Sequence, residues 1–302
     1  MFSAFSTQHA TLLAIHLPDN VIAGSWCLCG FALAGILMWF GAWRIRDEEI
    51  PRVAILASAF FVASQIHVRL PVGTAHLLLN SLLGVILGRR ALLAIPVGLF
   101  MQMVLFGHGG WTTLGLNSCI MGLPALLAWL LFDGIRRVPW FTRSLFRSSL
   151  IAFCTLVFLL SLIYSVTILM TNQVNHAGEP DLSWANFMTF HPGTLVLASA
   201  LAGLAAWAER RLDQGLEFSV GLLVGEMAVL ATVSLNSLVL VLGGLEDYGA
   251  LALFVFVVHL PLAVIEGIVL GFTVGFLARV KPEMIGWPVP EKESTPVKQL
   301  VN

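Results

Sequence analysis

Nine apolar stretches follow one another through most of this chain, and they leave few folds open. They run over about 20–43, 52–69, 74–88, 90–106, 115–135, 148–171, 193–208, 217–243 and 249–279 of the 302 residues. A helix that crosses hydrocarbon needs roughly 20 mostly apolar residues, and all but the third and seventh runs come close to that or exceed it. The runs are too long and too closely spaced for barrel strands. Backbone inside hydrocarbon must satisfy its own hydrogen bonds, so the expected fold is an all-α polytopic transmembrane helix bundle of about nine helices. Composition agrees: 11% of residues are charged, against roughly 25% in a soluble domain. The net charge of −1 comes with no basic block, which argues against a nucleic-acid partner.

Lys and Arg set the orientation. With the N-terminus outside and nine alternating spans, the inner connections hold Arg44, Arg46 and Arg52, then Arg89 and Arg90, then Arg136, Arg137, Arg143 and Arg147, then Arg210 and Arg211. The tail adds Arg279, Lys281, Lys292 and Lys298, which leaves only Arg69 of the 16 basic residues outside. The expected placement is a bacterial inner membrane, N-terminus out and C-terminus in. Residues 1–15 carry no Lys or Arg and read as a retained N-terminal extension rather than a signal peptide. Residues 281–302 read as a short disordered cytoplasmic tail.

The histidines fall on one side of this scheme. His9, His16, His67, His76, His108, His176 and His191 all lie at outer ends or outer turns, and His259 lies in the outer half of the last span. Imidazole is a common ligand of Zn, Cu, Ni and Co, so converging outer histidines suit capture of a transition metal. An isolated histidine at a membrane interface is more often structural; His9 and His176 read that way, and His191, before Pro192, reads as a helix start. His16, His67, His76 and His108 stand in tight Gly- and Pro-rich surroundings and are the candidate ligands. Thr74 is placed to cap a helix beginning near 74, with His76 in its first turn. Gly107, Gly109 and Gly110 allow a tight turn around His108, and Asn117, entering the next helix, needs a partner there. Cys27, Cys29, Cys119 and Cys154 read as buried thiols, with Cys27 and Cys29 the one pair spaced to act as soft ligands. Glu226 and Glu266 are carboxylates within spans, functional candidates or hydrogen-bonded structural groups.

Four motifs in order carry a resemblance. They are Ile15-His16-Leu17-Pro18-Asp19-Asn20, Pro71-Val72-Gly73-Thr74-Ala75-His76-Leu77-Leu78, Gly107-His108-Gly109-Gly110-Trp111-Thr112-Thr113-Leu114-Gly115-Leu116-Asn117, and His259 followed by Glu266 and Gly267. With these the chain resembles CbiM/NikM, the substrate-binding membrane component of energy-coupling-factor cobalt and nickel importers. The resemblance implies a near-square-planar site for Co(II) or Ni(II) built from a terminal amine, a backbone amide nitrogen and two imidazoles, which carry over to His16 and His76. His67 and His108 are further donors, and Thr74, Asn117, His259 and Glu266 are supporting residues. Three departures stand out. Fourteen residues precede Ile15, so the amine is next to His16 only after processing. His108 replaces the family's Asp. The family has about seven helices, so 141–208 within the transmembrane domain 16–280 reads as an inserted hairpin.

The chain has no Walker A pattern, so ATP-driven uptake implies partners: a transmembrane coupling protein, an ATP-binding cassette ATPase and a small accessory membrane subunit. Gly30, Ala34 and Gly35 offer small residues for helix docking. A membrane-embedded metalloenzyme and a non-transporting metal-sensing scaffold are the alternatives. Against the enzyme, no H-E-x-x-H motif is present and no carboxylate except Asp19 neighbours the histidine-rich turns. The expected reading is therefore transport of Co(II) or Ni(II) without catalysis and without an organic cofactor.

Overall fold

The structure is a computed structural model that describes residues 16–70, 73–137, 144–171, 183–211 and 216–287. Ten α-helices are found among these residues. They are α1 Gly24–Ala42, α2 Ile50–Ala63, α3 Asn80–Leu87, α4 Ala91–Phe106, α5 Leu114–Ile135, α6 Ser144–Thr171, α7 Ser183–Phe190, α8 Pro192–Arg211, α9 Leu216–Gly243 and α10 Gly249–Val280. Six helical runs are long and apolar enough to cross a membrane, counting Asn80–Phe106 through the turn at Gly88–Arg90 as one. The protein is an integral membrane protein of the helical kind the apolar runs require.

Close packing comes from small residues. On α9, Gly221 and Gly225 face Gly271 and Gly267 of α10, and a Cβ on either α9 glycine would sit 2.7 Å from the opposing Cα. Only hydrogen at these positions lets the two backbones approach, which substitutes for a hydrophobic driving force that lipid does not supply. Gly30 of α1 and Gly115 of α5 do the same against Leu116 and Phe31. Part of the small-residue face of α1 is thus spent inside the bundle, whereas Gly35 stays open. Phe60, Leu78, Leu83, Ile95, Met121 and Leu262 fill the core between α2, α3, α4, α5 and α10.

The region between α2 and α3 departs from expectation. The second span stops as a helix at Ala63, and His67–Leu70 and Gly73–His76 form an antiparallel two-stranded hairpin, β1 and β2. Thr74 therefore caps no helix, and His76 ends a strand instead of occupying a first helical turn. The helix begins only at Asn80, after Leu79 in the left-handed region at φ 49°. A half-length helix starting inside the bundle leaves its first N–H groups without water. Glu266 of α10 supplies the acceptor: its carboxylate takes the Leu78 N–H, and the Leu79 N–H at 3.1 and 3.0 Å. Asn80 then donates to Thr232 Oγ1 at 2.8 Å and to the Met121 carbonyl at 3.3 Å.

At the far end of α1 the arginines clamp carbonyls. Arg90 donates to the carbonyls of Gly41, Trp43 and Arg44 at 2.6, 2.9 and 2.9 Å and pairs with Glu49 at 3.0 Å. Cations at the C-terminus of α1 meet both its unsatisfied carbonyls and its dipole. Arg52 donates to Ile86 and Met284 carbonyls at 2.7 and 2.9 Å. The start of the expected tail is ordered by these contacts: Arg136 donates to the Gly286 carbonyl, and Trp287 packs against Phe132 at 5.8 Å between ring centroids. The N-terminal extension 1–15 and residues 288–302 lie outside the described residues.

Candidate metal centre

The segment His16–Asp19 is strapped over the N-terminus of α5. Asn117, on the first turn of that helix, pairs with the backbone of Leu17 as a strand would: its Oδ1 accepts the Leu17 N–H at 2.9 Å and its Nδ2 donates to the Leu17 carbonyl at 3.0 Å. Thr113 donates to the same carbonyl at 2.6 Å. Asp19 accepts from Trp111 N at 3.0 Å, and from Thr112 N and Oγ1 at 2.8 and 2.5 Å, so it caps the turn leading into α5. Burial works against the Asp19 carboxylate, but these hydrogen bonds prevail and hold its pKa below the ordinary range. Gly109 and Gly110 make room for the strap. Gly109 is at φ 83°, a conformation that favours glycine, and a Cβ there would lie 3.3 Å from Asn117 Nδ2 and 3.7 Å from His16 Cβ; any side chain at Gly110 would occupy the place of Asp19.

The strap brings His16 to His76. The two rings lie 4.9 Å apart between centroids with 20° between their planes, and the residues are 3% and 7% exposed. His76 Nδ1 lies 3.2 Å from the Leu77 carbonyl, and the linker Leu77–Leu79 is in turn pinned by Glu266. His16 Nε2 is buried without a hydrogen-bond partner. Burial, and then the nearby His76 and His108, push the His16 pKa well below its ordinary value near 6.5. A neutral imidazole with an available lone pair is the form that binds a metal.

Of the other residues singled out by sequence, His67 is opposite His76 in the β-ladder. His108 is half-buried in the turn after α4 and close enough for its charge to act on His16. It does not join His16 and His76 in one cluster: among the described residues no three His, Cys, Asp or Glu side chains gather as a metal group. Cys27 is buried and Cys29 exposed, so the C-x-C pair does not converge. His259 is buried on α10 with Nδ1 2.7 Å from the Val255 carbonyl of its own helix. Glu226 meets the Cys154 thiol of α6 across the seam between α9 and α6. One residue near His16 escaped the sequence reading. Gln102 of α4, 1% exposed, lies near the His16 ring and donates to Ser64 Oγ at 2.8 Å. Its signal was a lone amide in the apolar run Leu99–Phe106.

Fold and site together define a polytopic helical membrane protein that buries two facing imidazoles at one end of its bundle. The family model described as the cobalt uptake substrate-specific transmembrane region, CbiM, matches residues 16–208 and 193–284. The chain belongs to that family, which is a metal-uptake family and not an enzyme family. A relative from Haemophilus influenzae is 38% identical over 118 residues, 39% of this chain and 57% of its own length. The fused nickel transport protein NikMN of Rhodobacter capsulatus is 33% identical over 116 residues, 36% of this chain and 33% of that protein. The chain thus spans little more than half of the first relative and a third of the second. A crystal structure described as a transition metal transporter is 20% identical, with 88% of this chain and 93% of that one covered at a TM-score of 0.49.

Proposed function

We propose that this protein is the substrate-specific membrane component of a cobalt or nickel importer and that His16 and His76 are two ligands of the transported ion. The proximity of the two buried rings carries this reading. Two imidazoles bound to one ion through bonds of about 2 Å keep their centroids no more than roughly 6 Å apart, and these stand at 4.9 Å. Neutral nitrogen donors favour Co(II) or Ni(II) over the oxygen-seeking Mg(II) and Ca(II). Backbone nitrogen at the Ile15–His16 junction, or water, fills the remaining positions. The arginine end of the bundle faces the cytosol and the histidine end faces out, as the placement of basic residues favours. That puts the N-terminus outside and the C-terminus inside. Residues 141–208 are an addition to a seven-helix core. An ATP-binding cassette ATPase and a transmembrane coupling protein, with a small accessory subunit, drive uptake.

Titration of the purified protein with Ni(II) and Co(II) tests the reading. His16→Ala and His76→Ala should each weaken binding by about 100-fold or more, beyond the 10- to 100-fold that loss of an outer-shell partner costs. Wild-type affinity in both variants would end it. Cells carrying the protein with its ATPase and coupling partner should accumulate the metal, and cells with either variant should not.

A further inference from the structure

We infer that the cavity between α6, α7 and α10 holds one membrane phospholipid by the ester carbonyls of its glycerol backbone. The cavity has a volume of about 340 Å³, and Tyr164, Asn186, Thr189, Phe190 and Leu260 are among its walls. Its polar lining consists of hydroxyls and an amide, and among the described residues no charged side chain lines it. Thr189 is the residue that calls for a ligand. It is 3% exposed, and its Oγ1 is buried without a hydrogen-bond partner. A threonine in an apolar helix can donate to the carbonyl four residues back, as Thr167, Thr232 and Thr273 do at 2.8, 2.8 and 2.7 Å. Thr189 makes no such bond, so its O–H is left for an acceptor that enters the cavity.

Depth selects the occupant. Helix α8 has 20 residues, which at about 1.5 Å per residue matches the roughly 30 Å of the hydrocarbon layer. It ends on Arg210 and Arg211, so its first residue, Pro192, lies at the opposite boundary. Helix α7 stops at Phe190, just before Pro192, and its Phe187, Met188 and Phe190 are exposed, as in a short helix lying in the interface. The ester carbonyls of a phospholipid lie at this level. They accept hydrogen bonds and cannot donate, which matches the Thr189 hydroxyl and the Asn186 amide N–H groups. A charged headgroup finds no counter-charge in the cavity. Below it α6 is 6% buried along Leu145–Tyr164, so acyl chains continue down a helix that is open to lipid.

The test uses the full-length protein, stripped of lipid in detergent, and native mass spectrometry with two probes. One is a phosphatidylcholine with ester-linked chains; the other is its ether-linked analogue with chains of the same length. The ester lipid should bind about 3- to 10-fold more tightly, the worth of one hydrogen bond. Thr189→Val removes the donor at similar volume and should bind the ester lipid as weakly as the ether lipid. Its thermal midpoint without lipid should equal that of the wild type, because the hydroxyl has no partner to lose. Thr189→Ser keeps the donor and should keep the preference, and Leu260→Trp should fill the cavity and abolish it. Equal binding of the two lipids by the wild type, the result if water alone fills the cavity, overturns the inference. So does an unchanged preference in Thr189→Val, or a marked preference of the wild type for phosphatidylglycerol over phosphatidylcholine. If Thr189→Val does not fold, the wild-type comparison and Leu260→Trp decide: a preference that survives a filled cavity overturns the inference as well.

Discussion

The bundle core and the α6–α8 segment are both apolar and helical, yet they are held by different means. In the core, α3 to α5 and α9 are mostly buried along their spans: 67% of the Asn80–Phe106 window and 56% of Leu216–Gly243 are covered. For Leu145–Tyr164 of α6 the figure is 6%. Core helices meet backbone to backbone through glycine and bury Asn80, Gln102, Asn117, Thr232 and Glu266 with their polar groups paired across helices. The α6 helix presents Phe153 at 63% and Val157 at 43% exposure. The difference teaches that apolarity puts a helix in the membrane, whereas specific small residues and paired polar groups give it an address within the bundle. The two histidines proposed as ligands belong to the region with addresses.

The sharpest way to break this comparison is to fill a glycine in each region. Gly225→Leu would drive a side chain into the backbone of α10 and should cost more than ~3 kcal/mol, the upper end of ordinary overpacking; monodisperse yield and thermal midpoint in detergent should both fall. Gly203→Leu in α8, where a Cβ meets nothing within 4 Å, should change neither. Equal losses would remove the distinction.

A second pair contrasts the buried carboxylates. Glu266→Ala strands the Leu78 and Leu79 N–H groups at about 1–3 kcal/mol each and frees the linker that follows His76. Stability should drop, and Ni(II) affinity should fall by about tenfold, as for other outer-shell supports. Glu226→Ala, at the seam with α6, should lower stability by roughly 1 kcal/mol or less and leave Ni(II) affinity unchanged.

Asp19 gives a pH-dependent version of the same contrast. Its pKa is lower in the folded protein than in the unfolded chain. Its contribution is therefore full above the ordinary value near 3.8 and is lost as pH falls through the folded-state value. Asp19→Asn should lower the thermal midpoint at neutral pH by an amount typical of a lost helix cap, about 1 kcal/mol. The gap between wild type and variant should close below that range. A gap that stays constant with pH would show that the charge is not what holds the strap.

The smallest expected effect is on the periphery. A chain in which a short linker replaces residues 144–211 should bind Ni(II) within about twofold of wild type, the coupling expected between independent sites. A larger loss would make α6–α8 part of the binding unit and dissolve the comparison.

Much of the architecture was legible because hydropathy acts residue by residue. The apolar runs located the helices, and the arginines at 89–90 marked the turn between α3 and α4. The stretch 67–79 was not legible as a strand pair. Its apolar residues continue those of the flanking helices, and the pairing of His67–Leu70 with Gly73–His76 is what distinguishes a hairpin from a helix end. Asn117 and Glu266 were recognised as polar groups needing partners, but those partners are backbone groups 100 and 187 residues away, and backbone carries no mark in a sequence. Gln102 was overlooked because a single amide in an apolar helix has no meaning until its neighbour is known.

Sequence alone determined that this chain crosses a membrane as helices and that two histidines sit within motifs of a metal-uptake family, since both follow from local composition and order. The tertiary structure decided which turn of α5 holds the strap that carries His16 and which turn of α10 pins the linker after His76. That choice depends on close contact between distant segments, where a hydrogen bond exists only if both partners arrive at the same place without water.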